Sequence, residues 1–337
     1  MAAQLDISTE AFLDNIRAVA ERTAPAELML VTKDDAYGHG LDWAVPAALS
    51  AGLEWFGSYD VASALRVREL APTARVFAWA TSTGEEIREA IDAEVDLGVG
   101  STEYLHRVIA GAERRTRRVR VHLKIDTGLH RNGLRPEEWA DAVAAARRAE
   151  EAGILRVTGV WSHLAEASDA EDDDAQREFL TAVAALRAAG GTPRQLHLTA
   201  SAASWWRPEL RGSLCRIGAF CYGIRSADGP DLEGILPVAS LTADVIDLRD
   251  DHVRIGIGAL DGLPSTLTGA AIGNGARIRR VDGTWTELEP WRGARRGETV
   301  EVFGAGTVSA TDLAERIDTV GEEILTRVSP LVPRRYT

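Results

Sequence analysis

From residue 28 onward the chain alternates short apolar runs with longer amphipathic, Ala-rich stretches. The runs LMLVTK (28–33), EWFGSYD (54–60), RVFAWAT (75–81), VDLGVGS (95–101), RVHLKID (120–126), VTGVWSH (157–163), QLHLTAS (195–201) and LCRIGAF (214–220) read as eight strands. Between most of them lie helical patterns such as WAVPAALSAG, VASALRVRELA, PEEWADAVAAARRAEEAG and AQREFLTAVAALRAAGG. The last two end at glycine, where helices commonly stop. The link at 202–213 is short and weakly helical. Eight strands alternating with helices predict a (β/α)8 TIM-type barrel, with a doubly wound open sheet as the rival arrangement.

Past Leu236 the texture changes. VASLTADVIDLRDDHVRIGIGAL, GAAIGNGARIRRVDGTWTELEPW and GETVEVFG are Val/Ile-rich runs cut by Gly, Asp and Asn, which is strand-and-turn chemistry. The reading is therefore a barrel over residues 1–232 followed by a mostly β C-terminal domain over 233–337. A helix at ISTEAFLDNIRAVAER leads into the first strand, and a late helix is expected at 309–317, with Ser309 as its cap.

Composition narrows the function. With 45% hydrophobic residues in 337, the chain can bury a sizeable core. A net charge of −13 argues against nucleic acid, whose phosphates need a basic surface. No apolar run approaches the roughly 20 residues that span a bilayer, and the N-terminus lacks a basic-then-apolar leader pattern. Two cysteines, Cys215 and Cys221, are too few for a disulfide framework or a zinc site. These features predict a soluble cytoplasmic protein without a metal centre. The acidic run EASDAEDDD (166–174) reads as a solvated loop and first helical turn.

Barrels carry their chemistry at the C-terminal ends of the strands. Here those ends deliver Lys33, Tyr37 and His39, then Lys124, Asp126, His130 and Arg131, then His163, His197, Ser201 and Arg216. Cations gathered at one mouth imply an anionic ligand. A lysine closing an apolar strand is partly desolvated among other cations, which favours the neutral, carbonyl-reactive amine. The loops after strands seven and eight, TASAAS and RIGAFCYG, offer the Ser201 hydroxyl and the backbone around Gly218 and Ala219 to a phosphate. A carbonyl-reactive lysine and a phosphate cradle describe a pyridoxal phosphate site, or equally an aldolase acting on a sugar phosphate.

VTKDDAYGHG, HLKIDTGLHRNGL (122–134), GVWSHLAEASD (159–169), HLTASAAS (197–204) and CRIGAFCYGI (215–224) resemble, in order, the motifs of the alanine racemase family of fold-type III pyridoxal phosphate enzymes. GIGALDGLP (256–264) and DTVGEEILTRVSPLVPRRYT (318–337) extend the likeness to nearly the whole chain. The resemblance implies pyridoxal 5'-phosphate as cofactor and interconversion of L- and D-alanine, or a related amino acid. Lys33 then resembles the catalytic lysine that joins the cofactor as a Schiff base, and Tyr37 a residue packed by the phosphate. Ser201, Gly218 and Ala219 match the phosphate-binding stretch. Arg131 resembles the arginine near the cofactor's phenolic oxygen, His163 and His197 the histidines of its pocket, and Arg216 the arginine facing the pyridine nitrogen. Lys124, the barrel lysine that can be carbamylated, and His130 fall at the substrate pocket. The family also implies a head-to-tail homodimer in which the β domain of one subunit completes the other's site.

Racemisation needs a proton carrier on each face of the substrate. In the family the second carrier is a tyrosine from the partner; the matching position here is Ala259. Leu263 and Ser265 replace a following aromatic and arginine, Glu322 stands where a late tyrosine meets phosphate, and Ala200 replaces an asparagine. Three readings stay open at this level. One is a racemase with its second acid/base from elsewhere, such as His130 or water. Another is a decarboxylase, aldolase or lyase using the lysine face alone. The third is a non-catalytic cofactor-binding homologue.

Overall fold

The computed structural model describes residues 3–113, 115 and 117–337. They form two compact units, one of residues 19–33 and 48–218, the other of residues 3–18, 34–47 and 219–337.

Fifteen strands are found among the described residues: β1 (Ala3–Ile7), β2 (Glu27–Val31), β3 (Trp55–Ser58), β4 (Arg75–Ala78), β5 (Asp96–Val99), β6 (Val119–Lys124), β7 (Leu155–Trp161), β8 (Gln195–His197), β9 (Leu214–Ile217), β10 (Ala239–Leu248), β11 (Val253–Ile255), β12 (Ile278–Val281), β13 (Thr286–Leu288), β14 (Thr299–Phe303) and β15 (Arg334–Tyr336). In the first unit β8, β7, β6, β5, β4, β3, β2 and β9 pair in that order, every pair parallel. The ring comes together where β8 meets β9. There the Arg216 amide donates to the Thr199 carbonyl (3.4 Å) and the Leu196 amide to Ser213 Oγ (2.8 Å). This is the (β/α)8 barrel read from the alternating runs, and all eight strands fall inside the predicted stretches or within a residue or two of them. Helices Val61–Leu70, Gly84–Asp92, Thr102–Ala112, Pro136–Glu151 and Asp169–Ala188 connect successive strands.

Side chains alternate along each strand, so every second residue points into the ring. Met29, Trp55, Phe77, Trp161 and Leu214 fill it, all 3% exposed or less. Truncating an aromatic ring packed in this way costs about 3–5 kcal/mol. Room for such rings comes from glycine on neighbouring strands: a Cβ at Gly98 would lie 2.9 Å from both the Phe77 and the Trp161 ring.

The acidic run departs from its solvated reading in part. The Asp169–Ala188 helix starts within it, with Ser168 Oγ accepting from the Glu171 amide (3.3 Å). Asp172, however, is only 6% exposed and accepts from the Glu166 amide (3.2 Å).

In the second unit the sheet runs β12, β13, β11, β10, β1, β15, with β14 also on β10. β1 pairs antiparallel with β10 (Leu5 opposite Leu241) and parallel with β15 (Leu5 opposite Arg334). β10 alternates buried and part-exposed positions along its first eight residues, as a half-covered strand should. Two features of this unit were not expected from the sequence: the strand β1 and a second late helix, Gly321–Arg327, beyond Ala310–Glu315. Ser309 caps the latter, its hydroxyl accepting from the Asp312 amide (3.1 Å).

Candidate active site

Lys33 lies two residues beyond the end of β2, after Thr32. From Asp34 to Tyr37 the backbone then turns left-handed, with φ of 53–55° at four consecutive non-glycine residues. Such residues avoid this region, at roughly 1–2 kcal/mol each. The turn is held by Gly38 N donating to Asp34 O (2.9 Å), Gly40 N to Asp35 O (2.9 Å) and Leu41 N to Asp35 Oδ1 (2.7 Å). Backbone strain sustained in this way is a mark of functional positions.

In the barrel unit, Lys33, Lys124, Arg131 and Arg216 all act on His163 electrostatically. Burial and these four cations, Arg216 foremost, hold the His163 imidazole well below its ordinary range. Its Nδ1 is buried without a hydrogen-bond partner among the described residues. Lys124 Nζ donates to the Arg131 carbonyl (2.9 Å) and sits 4.9 Å from the centre of the Trp161 ring. Burial, with Arg216 and Arg131 close by, pulls its ammonium down to about 8. Arg216, 3% exposed, donates to the carbonyls of His197 (2.6 Å), Ser162 (2.7 Å) and Leu198 (3.4 Å), and lies within 5.1 Å of the Trp161 ring centre. Burial lowers it to about 9, so it remains a cation at neutral pH.

His197 is tied further down the barrel. Its Nδ1 lies 3.0 Å from an Arg216 nitrogen and its Nε2 2.7 Å from His122 Nδ1; His122 Nε2 is 3.2 Å from Asp96 Oδ2. Arg75 and Arg120 also bind Asp96. Burial pushes the Asp96 carboxyl up, but His122 and the two arginines outweigh it and hold the group at about 2. Burial keeps both histidines low and hence neutral. Sequence reading singled out His197 and missed its two companions. The available signal was parity: His122 and Lys124 share one face of β6.

The remaining residues are placed as follows. His130, on a left-handed backbone (φ 54°), has an 83% exposed side chain whose Nδ1 lies 2.9 Å from Asp126 Oδ2, and it is not gathered with the four cations acting on His163. Burial raises Asp126, but the bonds from His130 and Gly128 bring it below its ordinary value. Ser201 opens the short helix Ser201–Trp206, and Gly218, buried, follows β9.

In the other unit Tyr37 is buried, with its ring 4.9 Å from that of Tyr222. Burial, and then the Glu322 carboxylate, push its phenol well above the ordinary value. Ala219 begins the turn Ala219–Tyr222. Ala259 is exposed on the turn Ala259–Asp261, which is held by Asp261 Oδ2 accepting from the Gly258 amide (2.9 Å).

A cluster of cations around an orphaned buried nitrogen, with a lysine amine among them, suits an anionic ligand that carries a carbonyl. Known proteins agree. Residues 7–226 match the family described as alanine racemase, N-terminal domain. The alanine racemase of Thermobifida fusca is 37% identical, with 99% of this chain and 98% of that protein covered. The alanine racemase of Streptomyces coelicolor A3(2) superposes with a TM-score of 0.93 at 30% identity, covering 100% of this chain and 98% of that one. That of the D-cycloserine producer Streptomyces lavendulae gives 0.93 at 28%, covering 100% and 97%. The chain therefore belongs to the alanine racemase family, among the fold-type III pyridoxal phosphate enzymes.

Proposed function

We propose that this protein interconverts the L- and D-forms of alanine, or of a closely similar amino acid, with pyridoxal 5'-phosphate joined to Lys33. The observation that carries this reading is the delivery of Lys33 to the end of β2 beside His163, together with Lys124, Arg131 and Arg216. These residues fit the cofactor: the cations match its phosphate and phenolic oxygen, and the lysine matches its aldehyde. When bound, the cofactor takes up the electron pair left as the substrate's α-proton departs.

The chain's own residues do the rest. The Lys33 amine holds and moves a proton at Nζ on one face of the substrate. Arg216, locked by three carbonyls, would face the bound cofactor's ring as a cation and would keep the ring nitrogen unprotonated. Arg131 is assigned to the phenolic oxygen and His163 to the pocket wall. Tyr37, Ser201, Gly218 and Ala219 are assigned to the phosphate. Lys124, titrating near 8, has a usable neutral fraction for reaction with carbon dioxide; the new N–C bond forms as a proton leaves, and the resulting anion offsets the neighbouring guanidiniums. Lys124 and His130 border the substrate.

The reading includes a head-to-tail homodimer working in the cytoplasm. The residues at 259, 263, 265 and 322 would then set how the second face is served. Among the described residues no helix is long and apolar enough to cross a membrane.

The test is direct. Protein loaded with pyridoxal phosphate should show an absorbance band that Lys33→Ala abolishes. Incubation with L-alanine in deuterated water should place deuterium in both enantiomers. Deuterium confined to L-alanine, with no D-alanine formed, would overturn the racemase reading.

A further inference from the structure

The barrel interior contains an unbroken line of polar groups from the start of β5 to β9, inside an otherwise aromatic core. Asp96 opens β5, His122 lies midway along β6, His197 closes β8 and Arg216 lies on β9. Asp96, His122 and His197 are each fully buried, and Phe77 packs on both imidazoles, with ring centroids 4.8 and 5.3 Å away. Trp161 stacks on His197 at 5.8 Å and 9°. The fold makes space for this line. A Cβ at Gly159 would sit 2.5 Å from His122 Nδ1, so any other residue there would disturb the contact between the two histidines.

The two ends dictate every proton between them. A guanidinium can only donate, so His197 Nδ1 must accept from Arg216. Its Nε2 then carries the hydrogen and donates to His122 Nδ1. His122 in turn carries its hydrogen on Nε2, directed at Asp96. An ionised carboxylate can only accept, so the direction is the same when read from the other end. No other neutral arrangement satisfies all three contacts.

We infer that Asp96, His122 and His197 form a tautomer-setting rod that fixes, from the opposite end of the strands, where the Arg216 guanidinium stands. Asp96 and His122 are positioning residues, acting through His197. The inference rests on the reading that Arg216 faces the cofactor ring. Asp96 Oδ2 accepts from Arg75 (2.8 Å) and faces His122 Nε2 (3.2 Å), while Arg120 holds Oδ1, so Asp96→Leu removes the acceptor that all three share. His122 Nε2 then faces only the Arg75 and Arg120 donors, so the line reverses: both histidines move their hydrogen to Nδ1, and His197 sets an N–H against the donor of Arg216 across 3.0 Å. The guanidinium must shift.

Protein labelled with 15N in its seven histidines tests this. His122→Gln and His197→Gln assign the two signal sets, and long-range proton–nitrogen spectra report which ring nitrogen is protonated. The unsubstituted protein should show both as neutral Nε2–H forms, and Asp96→Leu should convert both to Nδ1–H. In the cofactor-loaded protein the same variant should keep the Lys33-dependent absorbance and lose kcat on the order of 100-fold, with KM for alanine little changed. His197 protonated at Nδ1 in the unsubstituted protein overturns the inference even if Asp96→Leu does not fold. An Asp96→Leu protein that retains the Nε2–H pattern overturns it as well, since a merely structural aspartate leaves tautomers alone. The two readings fail separately: missing cofactor absorbance in the unsubstituted protein strikes the assignment of the ligand, whereas tautomers are read on the chain's own nitrogens.

Discussion

Lys124 keeps an ammonium over the Trp161 ring and beneath two guanidiniums, and its proton is held to only about pH 8. An unfolded lysine keeps its proton to 10.5. Between those values the unfolded chain binds a proton there that the folded chain has released, so this site makes stability rise with pH across that window. Below it, the charged amine is a cost of folding. Lys124→Met, similar in volume, should therefore raise Tm by a few degrees at pH 7. The gain should shrink as pH passes 8 and vanish near 10.5; a pH-independent gain in calorimetry would contradict the assignment. At this scale the sequence was informative about which ionisable residues end the strands. It was silent about Asp96 and His122, because their roles depend on three strands meeting across the ring, and a single strand's text carries only which face a residue takes.

The left-handed turn at Asp34–Tyr37 shows how one element transmits demands to its surroundings. Gly38 follows it at φ 80°, and a Cβ there would meet the Leu325 carbonyl oxygen at 2.8 Å, backbone against backbone. Gly38→Ala should cost about 1–3 kcal/mol, read as a fall in the denaturant midpoint at unchanged slope. By contrast Ser168→Ala, which loses only the cap of the Asp169–Ala188 helix, should cost about 1 kcal/mol. The eight barrel strands were legible because strands covered on both faces need apolar runs whatever their partners. β1 was not: AQLDI alternates apolar and polar residues but over only five positions, and its partners lie more than 200 positions away. The helix Gly321–Arg327 was obscured by opening on glycine, a poor helix former. The left-handed turn left a trace in its Asp-Asp pair, but nothing in DDAY foretold that alanine and tyrosine would follow the same path.

For the whole molecule, the racemase reading requires a second proton carrier, and in the proposed dimer the methyl group of the partner's Ala259 cannot be that carrier. Leu260 and Leu331, 74% and 89% exposed, are large apolar side chains left uncovered in the same unit. Sedimentation should therefore give a mass about twice 36.3 kDa, and Leu331→Asp should weaken association roughly tenfold, equivalent to ~1.4 kcal/mol. If the pocket otherwise fits, Ala259→Tyr should raise the rate of D-alanine formation; an unchanged rate would mean the second face is served differently. Finally, β1 lies in its sheet between β10 and β15, the first and last strands of that unit's long C-terminal stretch. During synthesis, residues 3–7 leave the ribosome long before their parallel neighbour at 334–336 is made. The barrel's own residues are complete by 218, whereas the sheet that includes β1 must wait for the codons of residues 334–336. Nascent chains halted before residue 334 should thus display a protease-resistant barrel fragment while the N-terminal strand remains open to cleavage.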